Sequence, residues 1–80
     1  MLTTFIVKQL IDSNGNSYKV GDHVRVLLKS TSGYIGTIKN IFGDSFVLLI
    51  EDEDKTILLD TVEKIRLAKP DETFYNTWNF

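Results

Sequence analysis

Apolar positions in this chain alternate over short runs interrupted by turn residues. The clearest run follows Val20-Gly21-Asp22. Gly21 and Asp22 supply turn chemistry, and Val24, Val26 and Leu28 then alternate with His23, Arg25 and Leu27, which is the period of a strand. Upstream, residues 4–11 are rich in β-forming side chains and read as a first strand. Residues 12–17 are dense in turn formers, and Asn14-Gly15 is a strong hairpin signal because both residues tolerate positive φ. Residues 18–20 resume an extended path.

Beyond the small polar loop 30–33, residues 34–42 show a mixed period. Ile35, Ile38 and Ile41 are spaced by three, as on a helix. High β-branched content, Gly36 inside the run and Gly33 and Gly43 at its flanks favour a strand, with a bulge or bend near Gly36. Gly43-Asp44 makes a tight turn, and residues 45–51 form the next strand. There Phe46, Leu48 and Ile50 share one face, and Val47 and Leu49 make the other face apolar as well. An acidic turn, Glu51 to Asp54, leads into a return strand over 55–60 with Ile57 and Leu59 toward the core. A short helical turn capped by Asp60 and a closing strand over 64–67 complete the pattern. Residues 68–80 differ in character: Pro70 breaks the sheet, and Phe74, Tyr75, Trp78 and Phe80 stand among polar residues. The expected organisation is an all-β unit over residues 1–67 with an aromatic C-terminal extension over 68–80.

The segment from residue 18 to residue 67 resembles SH3-like small β-barrels of the KOW-like kind, including short proteins of Gram-positive bacteria and their phages. The resemblance rests on Val20-Gly21-Asp22-x-Val24-x-Val26, then Gly33-Tyr34-x-Gly36-Thr37-Ile38-x-x-Ile41. An apolar strand and an acidic turn follow, and then Leu58-Leu59-Asp60-x-Val62-x-x-Ile65. It implies a barrel of five to six antiparallel strands that ends in a 3₁₀ turn and a short closing strand. It also implies a module that binds nucleic acid, ribosomal or polymerase partners, or peptides, or that only assembles. Sm-like barrels share a Gly-x-Ile strand, but their N-terminal helix has no counterpart in residues 4–11.

Composition narrows these options. Eighty residues make one domain, and such a domain buries only about 60% of its unfolded surface. The chain has no cysteine, so disulfides and thiolate metal sites are excluded. Its N-terminus lacks a basic region followed by an apolar run, and its longest apolar stretch, Phe46 to Ile50, is too short to span a bilayer. A cytoplasmic protein without membrane contact is expected. The net charge of −2 and pI near 5.2 disfavour non-specific nucleic-acid binding.

Candidate chemistry is sparse. His23 is the only histidine, so a triad or histidine-based metal site lacks its usual partners. It reads as an ordinary half-exposed strand residue. The carboxylates of residues 51–54 suit a hard cation, yet the spacing is not that of an EF-hand. A solvated hairpin tip is the plainer account, and contact with a basic protein surface is a further option. Lys19, Arg25, Lys29 and Lys39, with Tyr18 and Tyr34 as stacking platforms, form the best nucleic-acid face available. The plainer account of these cations is the solvent side of core-forming strands. Tyr34 follows Gly33 at a loop exit, where the resemblance implies a ligand-facing aromatic. The tail aromatics Phe74, Tyr75, Trp78 and Phe80 admit three readings: cover for the barrel's own core, docking on a second copy, or ordering on a partner. The first is preferred.

No catalytic residue, metal or cofactor is expected. The sequence points to a non-enzymatic binding or assembly module acting through a protein partner or self-association. Its expected contact residues are Tyr18, Arg25, Tyr34 and the tail aromatics. The alternative is a nucleic-acid-associated module using Lys19, Arg25, Lys29 and Lys39.

Overall fold

A computed structural model describes residues 3–4 and 9–69 of the chain. It is all-β. Five strands form one antiparallel sheet in the order β7-β6-β5-β4-β8, and three two-residue strands form a second sheet in the order β1-β2-β3. The long strands are β4 (His23–Leu28), β5 (Gly33–Ile41), β6 (Ser45–Ile50), β7 (Glu53–Leu58) and β8 (Val62–Leu67). The short ones are β1 (Thr3–Thr4), β2 (Leu10–Ile11) and β3 (Ser17–Tyr18).

The alternation in β4 sets the core face. Val24 and Val26 are fully buried, and across the sheet they meet Ile38, Ile41, Phe46, Leu48, Ile57 and Ile65 in one apolar cluster. Leu10 and Tyr18 from the small sheet join that cluster, as do Leu59 and Val62 around the last turn. Val47 and Leu49 lie on the opposite side of β6, and Leu49 is exposed.

Several expectations need correction. The expected strand over residues 4–11 is two short strands that pair with each other, Thr3 with Ile11 and Thr4 with Leu10. Residues 5–8 of that expected strand lie outside the described residues. Asn14-Gly15 does sit in a hairpin, between Ile11 and its partner Ser17, but the loop is wider than a two-residue turn. Gly15 N–H donates to the Asp12 carbonyl, and Asp12 N–H donates to the Asn16 carbonyl.

The irregularity in β5 also falls elsewhere than expected. Gly36 stays in register with Val24, and the ladder to β6 slips between Ile38 and Asn40. The extra residue there puts Ile38 and Ile41 on the same face at a spacing of three. Gly36 has a different reason to be glycine. A Cβ at this position would sit 2.6 Å from the Leu49 carbonyl oxygen and 2.8 Å from Ile50 Cγ1, so β6 approaches β5 here closely enough that only hydrogen fits.

The return strand begins two residues earlier than expected, and a 3₁₀ turn (Leu59–Thr61) joins β7 to β8. Asp60 does not cap this turn; Leu58 occupies the N-cap position, and Thr61 Oγ1 donates to the Leu58 carbonyl at 2.7 Å. Two backbone bonds anchor the turn: Leu59 N–H donates to the Asp44 carbonyl and Lys29 N–H to the Thr61 carbonyl. The sheet is not a closed barrel. Among the described residues no ladder joins β7 to β8, and the 3₁₀ turn alone carries the chain between these two edges. Phe74, Tyr75, Trp78 and Phe80 lie outside the described residues.

Candidate functional site

Two open grooves are formed among the described residues. The larger, of about 380 Å³, is lined by Tyr34, Ile50, Glu51, Glu53, Asp54 and Lys55. The register explains why these residues meet. Tyr34 pairs with the core residue Val26 and so faces the inner side of β5. Ile50 pairs with Glu53 across the β6–β7 hairpin and lies on the same face as Phe46 and Leu48. Tyr34 and Ile50 both pack against the core cluster and remain partly exposed, so they floor the groove.

The hairpin tip supplies the rim. Glu51 and Asp52 both take left-handed backbone conformations, at φ 47° and 69°. That pairing of signs is the twist a two-residue hairpin loop demands. Lys55 Nζ lies 5.2 Å from the centre of the Tyr34 ring, within range of a cation–π contact. Asp54 is held by Lys39, whose Nζ is 3.0 and 3.1 Å from its two carboxylate oxygens. Both members of that pair are about half exposed, so it contributes little to stability.

The smaller groove, of about 310 Å³, lies between Asn16, Ser17 and Tyr18 on one side and Arg66 and Leu67 on the other. Leu67 is 59% exposed there.

The structure separates the expected contact residues. Tyr18 is 4% exposed, and its hydroxyl lies 2.8 Å from Asp12 Oδ2 and 3.2 Å from the Ile65 carbonyl oxygen. Burial, together with the hydrogen bond to Asp12 and its charge, holds the Tyr18 hydroxyl well above the ordinary phenol range. Tyr18 is thus a core residue with a satisfied hydroxyl. Arg25 is 3% exposed and pairs with Ile35 and Arg66, which puts it on the sheet face opposite Tyr34. Of the three, Tyr34 alone lines the larger groove. The basic residues do not converge either. Lys19 precedes β4 and Lys29 follows it, at opposite ends of that strand; Arg25 is buried and Lys39 is engaged by Asp54.

His23 is partly buried, with Nδ1 3.3 Å from Thr37 Oγ1. Asp22 accepts the Lys19 backbone N–H and lines neither groove. Among the described residues no group of three or more His, Cys, Asp or Glu is arranged to hold a metal ion, and the Glu51–Asp54 tip is no exception. No helix among them is long and apolar enough to cross a membrane.

Sequence reasoning singled out Tyr34 and the acidic tip, but as separate features. It missed Ile50 and Lys55 as their neighbours. A strict count of strand pairs back from the Glu51-Asp52 turn places Ile50 opposite Glu53 and Leu48 opposite Lys55, and that register was the available signal. In comparisons with family models, curated proteins and solved structures, nothing matches this chain.

Proposed function

We propose that this chain is a non-enzymatic binding or assembly module acting through protein–protein contacts, built as an open form of the SH3-like, KOW-like small barrel. The strand order and the 3₁₀ turn ahead of the last strand support the architectural part. One observation carries the functional part. The Tyr34–Ile50 groove opens beside β7, which is the terminal strand of its sheet and has no second ladder partner among the described residues. An extended segment laid along β7 can pair with its free backbone groups while alternate side chains enter the groove. The charged residues Glu53, Asp54 and Lys55 on that edge discourage indiscriminate pairing and leave selectivity to the groove. The nucleic-acid alternative draws no comparable support, because the cations it needs are dispersed.

The test is selection from a random displayed-peptide library against the full chain, repeated with Tyr34→Ala after its fold is checked. The reading expects enriched peptides that bind the original chain and not the variant. Peptides that bind both equally, or no enrichment, contradict it.

A further inference from the structure

The inner face of β7 changes character along its length. Ile57 is buried in the core, and Lys55 and Glu53, two and four residues earlier on the same face, are exposed. Lys55 closes this end of the core by resting over the Tyr34 ring. The face of an aromatic ring is negative in its quadrupole and attracts cations. In the free chain, therefore, the chain's own lysine already occupies the place on Tyr34 that a cationic ligand would take.

The surrounding charge favours a stronger cation there. Asp54 is shared with Lys39, and among the described residues neither Glu51 nor Glu53 forms an ion pair. Both line the groove with Lys55 as the single cation among its lining residues. Ile50 offers an apolar surface for the methylene stem of a long side chain, whose charged end then reaches the rim carboxylates. A strand added to β7 places its inner side chains directly opposite Glu53 and Lys55, where opposite charges stabilise and like charges do not.

Resting on the protein-binding reading, we propose that the Tyr34 groove receives a lysine or arginine side chain from an extended partner segment, which displaces Lys55 from the Tyr34 ring. The complement in charge and the existing lysine on the ring define the ligand as a basic, β-forming peptide.

Two peptides test this, acetylated and amidated VKVKVK and its acidic counterpart VEVEVE, titrated into the full chain and followed by NMR. VKVKVK is expected to shift the Tyr34, Ile50 and Lys55 signals and to weaken as salt rises. VEVEVE is expected not to bind. Lys55→Met removes the internal competitor and is expected to tighten VKVKVK binding about fivefold, while Tyr34→Leu loosens it about as much. Tyr34→Phe retains the ring and is expected to retain binding, which separates loss of the ring from loss of the fold. Equal binding of VEVEVE, shifts confined to other surfaces, or an affinity indifferent to Lys55→Met overturns the inference. If VKVKVK does not bind but selection yields Tyr34-dependent peptides without cations, the cation inference falls and the module reading stands. If selection yields no Tyr34-dependent peptide, both fall.

Discussion

The Tyr18 hydroxyl donates to Asp12 Oδ2 at 2.8 Å and so joins the small sheet to the loop that precedes it. Asp12 does more than accept this bond. Its carboxylate also receives the backbone N–H groups of Asn14 and Asn16 and the side-chain amide of Asn16. One carboxylate thus organises the whole 12–16 loop, and Tyr18 carries that order into the core. The Ile65 carbonyl on β8 lies 3.2 Å from the same hydroxyl, so this cluster also lies against the edge of the main sheet. Tyr18→Phe removes the donor and leaves these acceptors with one partner fewer. A loss of about 1–2 kcal/mol is expected in denaturant unfolding.

The same cluster gives a pH dependence with a definite sign. Burial alone would raise the Asp12 pKa, but the hydrogen bonds from Tyr18, Asn16 and Asn14 outweigh it and hold the group below its ordinary 3.8. The folded state therefore binds this proton less readily than the unfolded state. The stabilisation is present in full above the unfolded pKa and is lost as pH falls through the folded one. The advantage of the original chain over Asp12→Asn should be constant near neutrality and shrink below about pH 4. Paired thermal melts across that range check this; an advantage that persists unchanged to acid pH contradicts it.

Gly36 makes a second stability prediction. With the Leu49 carbonyl oxygen 2.6 Å from the position of a Cβ, even Gly36→Ala must push β6 away. A loss of about 1–3 kcal/mol is expected, since overpacking in a tight contact costs this much. In a domain of this size each kcal/mol lowers the melting temperature by about 4–8 °C. Gly36→Val should cost more than Gly36→Ala.

The β6–β7 turn predicts a change of opposite sign. Asp52 sits at φ 69° in a position where glycine carries no steric penalty. Asp52→Gly should stabilise the chain by about 0.5–1 kcal/mol in the same melts.

These positions show how much the sequence discloses. Strict alternation made β4 and β6 legible, because Val24 and Val26, and Phe46 and Leu48, hold the core face and a slip of one residue would remove them from it. The period of three in β5 had two solutions, and the ladder slip near Lys39 was hidden because no glycine marks it. The pairing of β1 with β2 was not legible, since residues 4–11 read as one run of β-forming side chains. Tyr34, singled out from its place after a loop glycine, lines the larger groove. Tyr18 and Arg25 misled, because a tyrosine with a satisfied hydroxyl and an arginine on a covered sheet face look the same in sequence as exposed ones.

The central claim is that the Tyr34 groove beside β7 is the contact surface. The most direct measurement is backbone amide shift mapping of the full chain with a peptide obtained by selection. The account predicts that the perturbed amides cluster on Tyr34, Ile50 and the free edge of β7 from Glu53 to Leu58. Perturbation centred on the groove between Tyr18 and Leu67, with β7 unmoved, would contradict it.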